Sequence, residues 1–248
     1  MLKCITPLTL ALVFAVAPAW AGDEVRAEFH QTYPLAADGR VAVSDVYGGI
    51  QISAWDRNEV KVDAVKRGPT QQELDETEIV VDAHADSVQI RTKYRDWQNS
   101  NHASVDYTIS VPRGAKLDHI ESVNGGVTID GVAGAVHART VNGKVEVHGA
   151  GGDVHASTVN GKVETTFDRL ASQRISLETV NGGITLGLPK DAGARLKAST
   201  IHGGISSDFD LPVKRAEFGG TSLESTIGNG GAEVKLQTVN GAIKVTQR

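Results

Sequence analysis

The sequence predicts an all-β protein built as a β-solenoid, a stack of short coils, and three observations predict it. The first is a repeated motif. Thr140-Val141-Asn142-Gly143-Lys144-Val145-Glu146-Val147 returns as Thr158-Val159-Asn160-Gly161-Lys162-Val163-Glu164, as Thr179-Val180-Asn181-Gly182-Gly183-Ile184 and as Thr238-Val239-Asn240-Gly241-Ala242-Ile243. Ser122-Val123-Asn124-Gly125-Gly126-Val127 opens the run, and Thr200-Ile201-His202-Gly203-Gly204-Ile205 is a variant. Self-similarity of this kind marks a repeat architecture. The second observation is spacing: Asn124, Asn142, Asn160, Asn181 and then His202 follow one another at steps of 18, 18, 21 and 21 residues. The third is alternation. Val136, Val154, Ile175 and Leu196 share a column before the turn, and Val145, Val163, Ile184 and Ile205 share one after it. Polar residues such as His137, His155, Lys144 and Glu146 lie between, so both arms read as strands with one buried face.

Two arrangements satisfy that pattern. Asn-Gly is a strong hairpin turn, which would give an antiparallel meander. Alternatively each unit is one coil, with Asn-Gly at a corner where Gly takes positive φ. The coil is preferred because adjacent Thr and Val recur together, which suits a corner better than a flat hairpin arm. Stacked coils would put Asn142 between Asn124 and Asn160 at about 4.8 Å, the spacing of an amide ladder. The structural turn residues are thus Asn124, Gly125, Asn142, Gly143, Asn160, Gly161, Asn181, Gly182, His202, Gly203, Asn240 and Gly241.

The elements follow in order. Residues 1–21 read as a signal peptide: Lys3, an apolar run over 5–17, then Ala19-Trp20-Ala21 as a cleavage site before Gly22. Residues 22–115 form a more irregular N-terminal β portion. Strands are expected at 24–30, around Val41 and Val43, and around Ile50 and Ile52, where Asp45-Val46-Tyr47-Gly48-Gly49-Ile50 is an outlying relative of the repeat. A strand at 60–65 ends at Gly68-Pro69. Thr70-x-x-Glu73 is a capping-box pattern that would start two turns of helix over 71–77. Strands at 79–83 and 88–94 flank Ala85-Asp86, and residues 95–103 read as a loop carrying Trp97. A strand at 105–111 leads into the repeats of 116–248. The first unit is imperfect, with Asp118 in an apolar column. Beyond Pro212 the period breaks, and 223–227 with 233–239 read as a hairpin cap across Gly228-Asn229-Gly230-Gly231.

Composition narrows the function. The 248 residues hold one cysteine, Cys4, inside the leader, so thiol catalysis and disulfides are excluded from residues 22–248. Residues 22–248 carry 24 basic against 30 acidic residues, with no basic block to track phosphates, so no nucleic-acid partner is expected. No nucleophile-elbow, zincin, P-loop or dinucleotide motif occurs. His137 and His155 share a column and would be surface neighbours, with His148 near them. Two imidazoles could bind a transition metal weakly, yet an exposed polar column continued by Ser176 and Lys197 explains them better. Asp130 and Asp153 with Lys144 and Lys162 are candidates for the cleft of a polysaccharide-cleaving β-helix, but their spacing does not single them out. No cofactor is expected.

The Thr-Val-Asn-Gly units, the Val111-Pro112-Arg113-Gly114-Ala115 lead-in and the 228–245 ending resemble the bacterial putative-adhesin family, a domain family of unknown function in exported envelope proteins. The resemblance implies a β-solenoid-like fold, an envelope or surface location and a non-enzymatic role, with no catalytic residues to carry over. The expectation is therefore an exported protein of the periplasm or cell surface. It would present an extended β face to a glycan or protein ligand and keep no transmembrane segment once the leader is cleaved. A carbohydrate-active β-helix enzyme and a structural or regulatory envelope protein are the alternatives.

Overall fold

A computed structural model of the chain describes residues 24–95, 103–215 and 220–248. The expected signal peptide over 1–21 and Trp97 lie outside the described residues. The first elements among the described residues are β1 (Val25–Pro34), β2 (Arg40–Ser44), β3 (Ile50–Trp55) and β4 (Glu59–Gly68). Thr70 then caps a short helix, α1 (Gln71–Glu76): its hydroxyl accepts the Glu73 N–H, and the Glu73 carboxylate accepts the Thr70 N–H. A hairpin of β5 (Thr77–Ala83) and β6 (Ser87–Tyr94) follows, then β7 (Ser104–Pro112).

From there strands alternate between two faces of a stack. One face takes β8 (Lys116–Glu121), β10 (Val136–Arg139), β12 (Val154–Asn160), β14 (Arg174–Asn181) and β16 (Ala194–His202). The other takes β9 (Val127–Asp130), β11 (Val145–His148), β13 (Val163–Thr166), β15 (Ile184–Leu188) and β17 (Ile205–Ser207). The chain ends with β18 (Lys214–Arg215), β19 (Thr221–Ile227), β20 (Ala232–Asn240) and β21 (Ile243–Gln247).

Among the described residues these strands form two open sheets, a β-solenoid-like arrangement that is nearly all β. The ten-stranded sheet A runs β1-β4-β7-β3-β9-β11-β13-β15-β21-β17. The eleven-stranded sheet B runs β18-β19-β16-β20-β14-β12-β10-β8-β2-β6-β5. Coil-to-coil pairing is parallel, with Val136 opposite Val154, Val154 opposite Ile175, and Val145 opposite Val163. A hairpin meander would pair antiparallel, so the register selects the coil. The columns predicted to face inward do so: Val136, Val154, Ile175, Val145, Val163 and Ile184 are all essentially inaccessible. Each such side chain contributes about 2 kcal/mol by leaving water.

Three features depart from the sequence reading. The imperfect first unit is a β-bulge: Leu117 pairs with Val136 and Ile120 with Ala138, so one extra residue in β8 carries Asp118 past the apolar column without burying it. The repeat glycines are not in the positive-φ region, which among the described residues is confined to Gly48, Gly131, Gly149, Gly220, Gly228, Gly230 and Gly231. Close approach requires them instead, because a Cβ on Gly161 would run into the Gly143 carbonyl, and one on Gly143 into the Gly125 carbonyl. The third concerns the cap. β19 and β20 do not form a hairpin; they flank β16, β19 antiparallel and β20 parallel. β20 also pairs parallel with β14, so the C-terminal coil is inserted between two coils that precede it in sequence. Its columns match those of its neighbours, and a parallel slot satisfies both of its edges where a hairpin would satisfy one.

Candidate functional site

Three columns of side chains run along the corner that joins the two sheets. The threonines are buried, and each hydroxyl donates to a glycine carbonyl of the adjacent coil: Thr140 to Gly125 (2.8 Å), Thr158 to Gly143 (2.9 Å), Thr179 to Gly161 (2.9 Å). The inserted coil joins the series through Thr238 to Gly182 (2.9 Å), and Thr200 then donates to Gly241 (2.9 Å). The asparagines are exposed and hydrogen-bond in line. Asn142 donates to Asn124 at 2.8 Å, Asn160 to Asn142 at 2.9 Å, Asn181 to Asn160 at 2.9 Å and Asn240 to Asn181 at 2.8 Å. His202 follows Asn240, not Asn181, because of the insertion. Between these columns the β-branched residues face outward, and Val123, Val180 and Ile201 are exposed.

The outward face of sheet B carries the most distinctive surface. Five strands, β10, β12, β14, β20 and β16, bring the column His137–His155–Ser176–Lys235–Lys197 into line. The His137 and His155 rings meet edge to face, with centroids 6.0 Å apart. Beside them runs a column of alternating charge, Asp153–Arg174–Glu233–Arg195. Asp153 accepts from the Arg174 backbone N–H at 2.9 Å and from its guanidinium at 3.0 and 3.1 Å. That N–H is the larger reason why the Asp153 carboxyl is held below its usual range. Glu233 pairs with Arg195 at 3.2 Å. A groove of about 620 Å³ lies over these columns, lined by four Lys and Arg residues, two carboxylates and the two histidines.

The other candidates are dispersed. His148 lies on sheet A, beside Thr166, and so is not with His137 and His155. Asp130 is on sheet A and Asp153 on the sheet B face, so they share no cleft. Lys144 and Lys162 pair with Glu146 (2.7 Å) and Glu164 (2.9 Å). Among the described residues no group of three or more His, Cys, Asp or Glu is placed to hold a metal ion. No helix among them is long and apolar enough to cross a membrane.

The alignment of Lys235 and Glu233 with this face escaped sequence reasoning, because it depends on where the C-terminal coil inserts. The matching Thr238-Val239-Asn240-Gly241 motif was the available signal. It says that the coil joins the stack but not at which level.

Open parallel coils, corner ladders of Thr and Asn and one grooved outer face define a solenoid-like stacking domain. Residues 98–246 match the Toastrack family, DUF4097, and the chain belongs to it. No curated protein matches the sequence. Among solved structures the chain is similar to a "putative cell adhesion protein" of Clostridium sporogenes, at 12% identity and a TM-score of 0.49, over 90% of this chain and 100% of that one. A "putative adhesin" of Bacteroides fragilis is similar at 10% identity and a TM-score of 0.35, over 88% and 97% of the two chains. A "putative lipid binding protein" of Parabacteroides distasonis is similar at 9% identity and a TM-score of 0.32, over 89% and 96%.

Proposed function

We propose that this is an exported, non-enzymatic cell-envelope protein that binds an elongated anionic surface ligand, in the manner of an adhesin, along the outward face of sheet B. In this reading residues 1–21 are a cleaved leader, 22–115 form one end of the domain, and 116–248 form the stack that presents the face. The observation that carries it is the groove over β12, β14, β20 and β16. Four Lys and Arg residues against two carboxylates line it, a cationic excess that Glu178, 3.5 Å from Lys235, partly offsets, on a protein whose residues 22–248 hold 24 basic and 30 acidic side chains. Lys197 and Lys235 sit side by side there at the same strand level. A run of cations in a groove raises the local concentration of an anion and orients it. The repeated Asn and Gly residues have a structural part in this account, holding the coils that carry the face.

Binding of residues 22–248 to acidic and neutral envelope polysaccharides, at low and high salt, tests the proposal. Acidic polymers are expected to bind, to weaken as salt rises, and to lose most of their binding when Lys197→Glu and Lys235→Glu are combined. Equal binding of neutral polymers, or an unaffected double variant, would overturn it. N-terminal sequencing of the exported protein tests the leader; a chain that still begins at Met1 contradicts it.

A further inference from the structure

The order of the coils in space differs from their order in the chain. β14–β15 is followed in sequence by β16–β17, but β20–β21 lies between them. The two flanking coils are in register with each other through the inserted one: Arg174, Glu233 and Arg195 share a level, as do Thr179, Thr238 and Thr200. Asn181 and His202 are separated by the same 21 residues as Asn160 and Asn181, so the outer coils carry matching edges. The slot is thus a site for one coil of defined sequence. We infer that this slot is an exchangeable docking site, and that it fits the C-terminal coil, residues 232–248, of a second copy of this chain.

Two observations favour that occupant. The first is charge. With the slot filled, the outer column alternates as Asp153, Arg174, Glu233, Arg195, whereas an empty slot that closed up would set Arg174 against Arg195. The coil that fits is therefore one with an acid at this level, and the other tandem coils carry Lys116, Ala135, Arg174, Arg195 or the already paired Asp153 there. The second is the hinge. β19 ends at Ile227 and β20 begins at Ala232, both level with Ala194 but on opposite sides of β16. Four residues, Gly228-Asn229-Gly230-Gly231, must pass over the start of that strand. Three of them take positive φ, and a Cβ on Gly193 would strike the Gly230 carbonyl. A short hinge in so constrained a conformation favours exchange, since the same contacts form between copies with the hinge extended.

The test uses residues 22–248 with two reciprocal sets of changes. One copy carries Glu233→Arg; the other carries Arg174→Glu and Arg195→Glu. Each is mismatched with itself and matched with the other, and all three positions are exposed enough to leave folding intact. After the two are unfolded and refolded together at high concentration, light scattering and native mass spectrometry should show mixed dimers exceeding either self-dimer by about tenfold. Monomers alone would overturn the inference. Dimers of the three kinds in the statistical 1:2:1 ratio would overturn it too, as they would reveal contact through another surface. Independently, deleting Gly230 and Gly231 from the unaltered sequence should turn monomer into dimer, since two residues cannot pass over β16; a folded monomer would contradict it.

Discussion

The tandem coils and the N-terminal portion share one core yet solve the same problem with different chemistry. In the tandem coils every neighbour is a copy. One hydroxyl, one amide and one missing Cβ per coil are enough, because each finds its complement a strand spacing away. At the N-terminal end the columns meet something unlike themselves. The threonine column passes through Ser122, which donates to the Gly48 carbonyl at 3.3 Å, and ends at Asp45. The asparagine column ends at Tyr47, opposite Asn124. Pairing there turns antiparallel through β1, β4 and β7, and the space is filled by aromatic side chains. Tyr107 is buried with its hydroxyl 2.7 Å from Thr92, Tyr94 donates to Asp45 at 3.2 Å, and the Tyr47 and Tyr94 rings meet edge to face at 5.7 Å. Repetition lets small polar groups suffice; this end is filled by bulkier side chains packed around a buried carboxyl.

The largest effect is expected from burying a charge where the tandem coils have none. Val163→Asp would sit between Val145 and Ile184 with no partner, and should cost about 3–5 kcal/mol in denaturant unfolding. An unchanged midpoint would mean that this column does not face inward.

Asp45 is the converse, a buried acid that the fold already carries. Burial pushes its carboxyl up to about 6, against the hydrogen bonds from Thr92 and the Val46 N–H that favour the ionised form. Its Oδ2 has no partner. Because the folded protein holds this proton more tightly than the unfolded chain, stability from this group rises as pH falls from about 6 towards 4 and is lost as pH rises through 6. Asp45→Asn should remove that slope and stabilise the protein at pH 8 by about 2–3 kcal/mol. Matching slopes in the two proteins between pH 4 and 6 would contradict the assignment. The Asp153, Glu164 and Asp63 carboxyls, all held below their usual range, act in the opposite sense at more acid pH and cancel between parent and variant.

Within the stack itself, glycines differ in what surrounds them. Gly161→Ala should cost about 2 kcal/mol, since the added carbon meets the Gly143 carbonyl that already accepts from Thr158. Gly204→Ala, where nothing lies within 4 Å, should change stability by under about 0.5 kcal/mol. Thermal melts of the two variants, equal within error, would remove close approach as the reason for these glycines.

The regular half of the molecule was legible because each inter-coil contact is repeated, so composition within a column reveals its direction. Val136 and Val154 could be aligned on paper, and the structure pairs them. The glycine columns were visible too, but not their cause, because steric approach between coils leaves the same letter in the sequence as positive φ. What could not be read is any long-range contact that occurs once; the Thr70 capping box, which is local, could. The Tyr94–Asp45 contact joins residues 49 apart, and the level at which β20 inserts depends on matching one repeat among several alike. The charged groove inherits that ambiguity, since Glu233 and Lys235 reach it only through the insertion. His137 and His155 were legible as neighbours because they fall within the regular run.

Recurring columns bond coil to coil, and the exposed asparagines are where that bonding can be measured. Asn160 both donates to Asn142 and accepts from Asn181, whereas Asn124 only accepts from Asn142. In solvent each such bond contributes about 0.5–1 kcal/mol, so Asn160→Ala should cost about twice as much as Asn124→Ala. A double-mutant cycle isolates the link. Asn142→Ala and Asn160→Ala together should lose less than the sum of their separate losses, with a coupling of about 0.5 kcal/mol or more, while Asn124→Ala and Asn160→Ala should add within about 0.3 kcal/mol. Additive losses for the 142–160 pair, equal to those for the 124–160 pair, would contradict the ladder.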